Sequence, residues 1–445
     1  MELIDLLQQQ LLQDDLSEAI TTAASMHPAD VAEALQEVAI QKQAVFLAAL
    51  PHRQAAEILQ KLELEEEVLI LNQIGPTLAT EILREMSTDD ATDLLAKLPK
   101  ESSDKLILLL QEEGQGLREL LEYEEDTSGG LMATEFVAVR EDQTVVEVLS
   151  LLRKQAPAAD IAYYIYVVDH TNKLTGVLSL RELVVSPLTA EIGSIMMRDV
   201  VSVPEDMDQE EVARLFDKYS FLVLPVVDEE NRLIGIITVD DVLGVVEEEA
   251  TEDIHKSASI SPLETNYANA GVFTLFSKRV FWLLGLIIVN LISTGIMAAY
   301  EDVLASVITL TFFIPLLIDT GGNTGSQSAT LIIRALVTKD VELSDWRDVF
   351  LKELAVGVSL GLVLGIAGSC LGLFRGDLRV AIVVGLTMSA IVIVANLIGM
   401  ILPFILTHLR MDPAVISAPL ITSIVDAVGL LIYFSIAAWV FQFSL

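Results

Sequence analysis

Between residues 25 and 110 the apolar positions recur with a period of twelve. Leu35, Leu47, Leu59, Leu71, Leu83, Leu95 and Ile107 mark the series, and Ala34, Phe46, Ile58, Ile70, Ile82, Leu94 and Leu106 precede them. Twelve residues make one short helix and a turn, and Pro28, Pro51, Pro76 and Pro99 punctuate the run. The pattern predicts a stack of short helices with the leucine column along its inner edge and acids outside, among them Glu57, Glu63, Glu65, Glu66, Glu67, Glu81, Glu85, Asp89, Asp90 and Asp93.

A different repeat follows. LMATEFVAVREDQTVVEVLSLLRKQ aligns with IMMRDVVSVPEDMDQEEVARLFDKY, and YIYVVDHTNKLTGVLSLREL with FLVLPVVDEENRLIGIITVDDV, so residues 131–182 and 195–241 are two copies of one unit. Met132 and Met196 are 64 apart whereas Gly176 and Gly235 are 59 apart, which places a five-residue insertion around residues 156–160 of the first copy. Each copy predicts strand, helix, strand, turn, strand and helix, with the turns at Asn172-Lys173 and Glu230-Asn231.

Long apolar runs then take over. Residues 280–298, 303–318, 354–374, 380–402 and 414–443 predict five membrane spans, each but the second near or above the roughly 20 residues that a hydrocarbon core requires, and the second is extended by GGNTGSQSATLII after Asp319. Before them, residues 243–260 (LGVVEEEATEDIHKSASI) predict a helix on which Glu249, Glu252 and Asp253 crowd one face, with nothing basic expected to neutralise them.

Charge divides the chain at the same place. The formal net charge is −37; residues 271–445 hold nine Lys and Arg against eleven Asp and Glu, a net of −2, which leaves −35 for residues 1–270. Such acidity speaks against nucleic acid and for cations. The start MELIDLLQQQLLQDDL is acidic and amphipathic, unlike an export signal, so the acidic half is expected in the cytoplasm. Lys278, Arg279, Arg334, Lys339, Arg347, Lys352, His408 and Arg410 flank the spans on one side, against Arg375 and Arg379 on the other, which predicts the N-terminus inside and the C-terminus outside. The single cysteine, Cys370, rules out an intrachain disulfide or a cysteine zinc cluster. No P-loop lysine and no Ser-His frame suggests a hydrolase, so an enzyme is not expected.

The candidate chemistry lies in two runs. In ITSIVDAVGLLIYF, Asp426 is a carboxylate within a span, where such a group costs roughly 2.5–3.5 kcal/mol unless water, a partner or an ion meets it. Pro419, Thr422, Ser423 and Gly429 accompany it. In FFIPLLIDTGGNTGSQSAT, Pro315 and the run Gly321, Gly322, Asn323 predict a broken helix with free carbonyls beside Asp319, lining water or forming a re-entrant turn. Asn396, in IVIVANLIGMILPF, suits an interhelical contact or the ion path equally. Carboxylates, amides and carbonyls without Cys or His are hard ligands suited to Mg2+ or Ca2+, and a ring of Asp426 carboxylates from two chains is able to hold a hydrated ion.

The duplicated unit resembles the cystathionine beta-synthase (CBS) domain pair. Such pairs often bind adenine nucleotides through a run matched here by Gly235-Ile-Ile-Thr238-Val-Asp-Asp241, making Thr238 and Asp241 the nucleotide candidates; the first copy departs from it with Ser179 and Glu182. With PLLIDTGGNTGSQS and ITSIVDAVGLLIYF, the whole chain resembles the MgtE family of magnesium channels. The resemblance implies a multidomain membrane protein: an all-α superhelical N-domain (1–128), an α/β CBS pair (129–242), a connecting or plug helix (243–270) and a five-helix transmembrane domain (271–445). It implies a homodimer in the bacterial inner membrane with a pore between the second and fifth spans, Asp426 as pore aspartate, and Asp319, Asn323, Gly321, Gly322, Asn396 and Pro419 as further candidates for the path. It implies regulatory Mg2+ at Glu249, Glu252, Asp253 and Asp412, at Glu210, Asp240 and Asp241 of the CBS pair, and at Glu57, Glu85 and Asp89 of the N-domain, with ATP as a further regulator. The expected activity is Mg2+ influx down its gradient, closed by cytosolic Mg2+; the alternative is a divalent-cation transporter coupled to protons or sodium.

Overall fold

The computed structural model describes residues 2–155, 163–263, 267, 270–413 and 418–441. The insertion expected around residues 156–160 lies outside them. The chain forms two compact units, Met1–Glu248 and Glu249–Leu445.

The first unit opens with α1 (Glu2–Leu12) and α2 (Leu16–Ala23). Then come α3 (Pro28–Leu35), α4 (Ile40–Ala48), α5 (His52–Leu59), α6 (Leu64–Ile74), α7 (Pro76–Leu83), α8 (Thr88–Lys97) and α9 (Lys100–Leu110), each starting twelve residues after the last. α10 (Glu112–Leu120) closes the stack. Helices two apart in sequence pack together: α3 on α5 on α7 on α9, and α4 on α6 on α8. Two interlocked rows result, and the predicted column is their seam, with Leu35, Phe46, Ile58, Ile70 and Leu94 wholly buried. Pro28 and Pro76 occupy first helical positions, where a missing N–H goes unnoticed. Gly75, at φ 83°, joins α6 to α7 in a single residue that a Cβ would strain.

In the repeats, β1 (Ala138–Val139), α11 (Val145–Gln155), β2 (Tyr164–Val168), β3 (Leu174–Ser179) and α12 (Leu180–Val185) form the first copy. After α13 (Ile192–Ile195), β4 (Val203–Pro204), α14 (Gln209–Tyr219), β5 (Val223–Val227), β6 (Leu233–Thr238) and α15 (Val239–Ser257) form the second. In each three-stranded sheet the first strand runs parallel to the second and the second antiparallel to the third. The copies exchange bonds reciprocally: Leu174 N–H donates to Asn231 O and Leu233 N–H to Asn172 O, both at 3.0 Å. Met196 lies over Gly176, and Met132 over Gly235.

The second unit holds the end of α15, then α16 (Val272–Ala299), α17 (Glu301–Ser306), a 3₁₀ turn (Ile308–Phe313), α18 (Ile314–Val337), a second 3₁₀ turn (Leu343–Asp345), α19 (Trp346–Arg375), α20 (Leu378–His408) and α21 (Ala418–Phe441). Among the described residues four helical segments, Val272–Ala299, Leu343–Arg375, Leu378–His408 and Ala418–Phe441, are long and apolar enough to cross a membrane. The second predicted span needs correcting. Residues 303–318 are not a helix but α17, the 3₁₀ turn and the first turn of α18; the element of spanning length is α18 itself, 24 residues and so about 36 Å long. Nor is α18 broken at its glycines, since Pro315 sits in the first turn, where it starts a helix, and α-helix continues through Gly321, Gly322 and Gly325.

α19 and α20 meet along small residues. Gly357, Gly361, Gly365, Gly368 and Gly372 are all buried, and the Ser389 hydroxyl donates to Gly361 O at 2.8 Å.

Candidate functional site

α18 has two unlike faces. Gly321, Gly322, Gly325, Ser328 and Ile332 are buried, whereas Asp319, Asn323, Gln327, Thr330 and Arg334 are exposed on one stripe. Asn323 Nδ2 donates to Asp319 Oδ2 at 3.2 Å, one turn away. Lipid cannot solvate such a stripe, so on a helix beside membrane spans it marks water or another chain.

Asp426 lies across from it on α21. Its Oδ1 is buried and accepts no hydrogen bond, and the charge that acts on the carboxylate is Asp319. Gly321 and Gly322, expected to offer carbonyls to the path, instead let helices touch. A Cβ on Gly321 would come within 2.5 Å of Ile391 Cγ2, and one on Gly322 within 2.8 Å of Thr422 Cγ2. Pro419 stands in the first turn of α21, its carbonyl taken by the Ser423 hydroxyl at 3.0 Å. Asn396 makes an interhelical contact: it is buried, and its Nδ2 donates to Glu353 Oε2 at 2.7 Å and to Glu353 O at 2.8 Å.

Near the membrane helices, the expectation that nothing basic meets the acids of α15 is overturned. Lys256 Nζ lies 3.1 Å from Glu252 Oε2 and 2.9 Å from Asp412 Oδ2. Burial works against its charge, but the Asp412 and Glu252 carboxylates hold the ammonium above the usual lysine range. Lys256 follows Glu252 by four residues, the helical spacing that pairs charges, so the sequence carried this signal. Glu249 and Asp253 are half-buried on the same helix. Among the described residues no three acid, His or Cys groups converge as metal ligands.

In the first unit a cleft of about 530 Å³ is lined by Ser87, Asp89 and Asp90 of the helical stack and by Tyr163, Thr238, Asp240 and Asp241 of the repeats. The Thr238 hydroxyl bonds Asp240 Oδ1 at 2.6 Å and the Asp241 carboxylate. Burial, then the neighbouring carboxylates, raises Asp89 well above the carboxylate range, and burial raises Asp241 to about 6. Glu67, 6% exposed and expected on the acidic outside, is pushed to about 8 by burial and by Asp90 and Asp93. Asp89 is likewise buried rather than outside, at 9% exposure.

The other candidates lie elsewhere. Glu57 pairs with Arg53 at 3.0 Å, Glu210 with Arg214 at 2.5 Å, and Glu85 is exposed. The partners of Asp89 are therefore Asp90 and Asp241, which a period of twelve had no means to single out. In the first copy Ser179 and Glu182 form a capping box at the start of α12, a structural use of both residues.

The family model MgtE, described as a divalent cation transporter, matches residues 314–436. The MgtE intracellular N domain matches residues 26–126, and the CBS domain matches residues 128–187 and 192–248. The chain is 47% identical over 435 residues to the magnesium transporter MgtE of Thermus thermophilus, covering 96% of this chain and 97% of that protein. It is 36% identical to the magnesium transporter MgtE of Enterococcus faecalis over 328 residues, 74% of this chain and 72% of the relative. Among solved structures, the cytosolic domain of the Mg2+ channel MgtE in complex with ATP matches with a TM-score of 0.52 and 46% identity, covering 54% of this chain and 98% of that one.

Proposed function

The chain belongs to the MgtE family of magnesium transporters, and from that membership and the chemistry of α18 and α21 we propose that it passes hydrated Mg2+ between two copies of itself. The observation that carries the reading is the buried, unpartnered Oδ1 of Asp426 beside the polar stripe of α18. Two such carboxylates, one from each protomer, hold an ion through its own waters, which suits a cation that dehydrates reluctantly. Asp319 and Asn323 extend the path. A potential of about 100 mV drives a divalent ion inward with roughly 4.6 kcal/mol, so influx needs no ATP.

Regulation is assigned to the acids outside the bilayer. In Mg2+-poor cytosol, Asp89, Asp90, Asp240 and Asp241 repel one another across their cleft, and Glu249, Glu252, Asp253 and Asp412 form a second acidic group. Mg2+ bound between such carboxylates favours the compact, closed form by its differential affinity for it. The relative crystallised with ATP supports a nucleotide as a further regulator, with Thr238 and Asp241 as its contacts here. The parts are an N-domain over 1–128, the CBS pair over 129–242, the connecting helix over 243–270 and the transmembrane domain over 271–445. The protein is placed in the bacterial inner membrane with its N-terminal domains in the cytoplasm and its C-terminus outside.

The test is Mg2+ entry into liposomes holding the full chain. Asp426→Ala is expected to reduce entry to background, and unchanged entry removes the pore assignment. A current that reverses at the magnesium equilibrium under an imposed proton or sodium gradient fits a channel; a reversal that follows those gradients establishes coupled transport instead.

A further inference from the structure

Glu353 is a further acid among the membrane helices, standing one residue before the apolar run 354–374, and the ion path does not use it. It lies on α19, inside the apolar segment Leu343–Arg375, and is half-buried. Its Oε2 accepts from Asn396 Nδ2 of α20 at 2.7 Å and stands 3.1 Å from the Ser328 hydroxyl of α18. That hydroxyl is also 3.0 Å from Asn396 O, so its one proton is shared between the carboxylate and the main chain of α20. Asn396 and Ser328 are each 3% exposed. Among the described residues no basic side chain forms an ion pair with Glu353.

The junction sits where α18 and α20 touch backbone to backbone. A Cβ on Gly399 would fall 2.2 Å from Gly325 O and 3.0 Å from Ser328 Cβ. Ser328 is therefore on the buried face of α18, whereas Asp319, Asn323, Gln327 and Thr330 are on the exposed one. Bare glycine contact leaves a helix free to turn about its axis; a charged acceptor at one angular position does not. A half-buried carboxylate with no basic partner is less favourable than an apolar residue in the same place, so packing alone gives no reason to retain it.

We infer that Glu353 is a positioning residue for transport: by holding Asn396 and Ser328 it sets the rotation of α18, and with it the placement of Asp319 and Asn323 along the ion path. The inference rests on the path proposed above. Gln at this position keeps an oxygen for Asn396 Nδ2 and an amide for the serine, so the role calls for the acceptor rather than the charge.

The test uses the full chain in liposomes. Cys370 is the only cysteine, so Cys370→Ser gives a background in which Asn323→Cys reports the exposed polar stripe of α18 to a polar thiol reagent, and Leu331→Cys, an exposed apolar position on the same helix, serves for comparison. Loss of charge-assisted bonds at the junction predicts Mg2+ entry slowed about tenfold or more in Glu353→Ala, with labelling of the cysteine at 323 slowed to a similar degree. Glu353→Gln is expected to restore both to within about threefold, and Glu353→Ala with Asn396→Ala to lose no more than the worse single variant. If Glu353→Ala does not fold, Ser328→Ala cuts only the link to α18 and should shift labelling in the same direction. Normal entry and labelling in Glu353→Ala overturn the inference; so does a Glu353→Gln variant as impaired as the alanine, which would make the charge itself the functional element. Asp426→Ala separates the two proposals: it should abolish entry and leave the labelling rate alone, and entry persisting there counts against the path whatever Glu353 does.

Discussion

Lys256 Nζ and Asp412 Oδ2, 156 residues apart in the chain, lie 2.9 Å from each other. An ammonium thus occupies the position between two acids, Glu252 and Asp412, that a divalent cation would contest. Lys256→Gln vacates it without adding a charge. If cytosolic Mg2+ closes the path as proposed, half-closure is expected at a Mg2+ concentration several-fold lower, roughly the effect of about 1 kcal/mol, and patch-clamp titration of the cytosolic face measures it. A shift to higher Mg2+ would mean that the lysine completes the closed form rather than competing for it.

The acids of the first unit give its stability a pH dependence. Asp241 rises from 3.8 to about 6 and Glu67 from 4.5 to about 8, so the folded unit binds protons that the unfolded chain has already released. Stability is then greatest below the unfolded values and declines as pH rises from about 4 to 8 through the folded ones. Melting temperature in chelator is expected to fall across that window, and Mg2+ to recover more of it at pH 8 than at pH 5. A flat profile in chelator would show that these carboxylates ionise without cost.

Gly399→Ala tests the contact between α18 and α20. Its methyl would lie 2.2 Å from Gly325 O, a main-chain atom that cannot swing aside. Overpacking of this kind costs about 1–3 kcal/mol, and a lower melting temperature in detergent is the expected readout. Gly285, which meets nothing within 4 Å, is the control and should tolerate alanine.

In the helical stack, Phe46 is wholly buried on α4. Phe46→Ala should cost about 3–5 kcal/mol, read from urea unfolding of the cytosolic unit. Val45 beside it is 59% exposed, so Val45→Ala should shift the midpoint little.

Legibility in the sequence followed how local each cause is. The twelve-residue period names helices that start at Pro28, Ile40, His52, Leu64, Pro76, Thr88 and Lys100, because one helix and one turn use up each repeat. The sheets could be read because alternation and turn residues such as Asn172 and Asn231, both at φ 63°, act over a few positions. α18 misled for a physical reason. Glycine, asparagine and threonine are poor helix formers in water, yet where Gly321 and Gly322 meet Ile391 and Thr422, close packing outweighs propensity. The glycines of α19 lie at spacings of three and four in the sequence, a pattern that means nothing until Ser389 and Gly385 stand opposite. Asp426 and Asp319 both stood out in the sequence as acids in apolar runs; that one acts on the other, and that Asn323, Gln327 and Thr330 join Asp319 on an exposed stripe, needed three dimensions. Glu353 stands directly before the apolar run 354–374, where a charge draws no notice in the sequence, and only Asn396 and Ser328 give it a use.

The two interlocked rows of the N-domain constrain how its length is able to change. Each helix rests on the one two places away, and both rows turn the same repeat positions to the seam, Leu35 and Ile58 from one, Phe46 and Ile70 from the other. An added repeat of twelve residues therefore presents the same buried edge whichever row it joins. Viable lengths for this stack come in steps of one repeat, whereas an insertion of any other length inside a helix turns the later leucines off the seam.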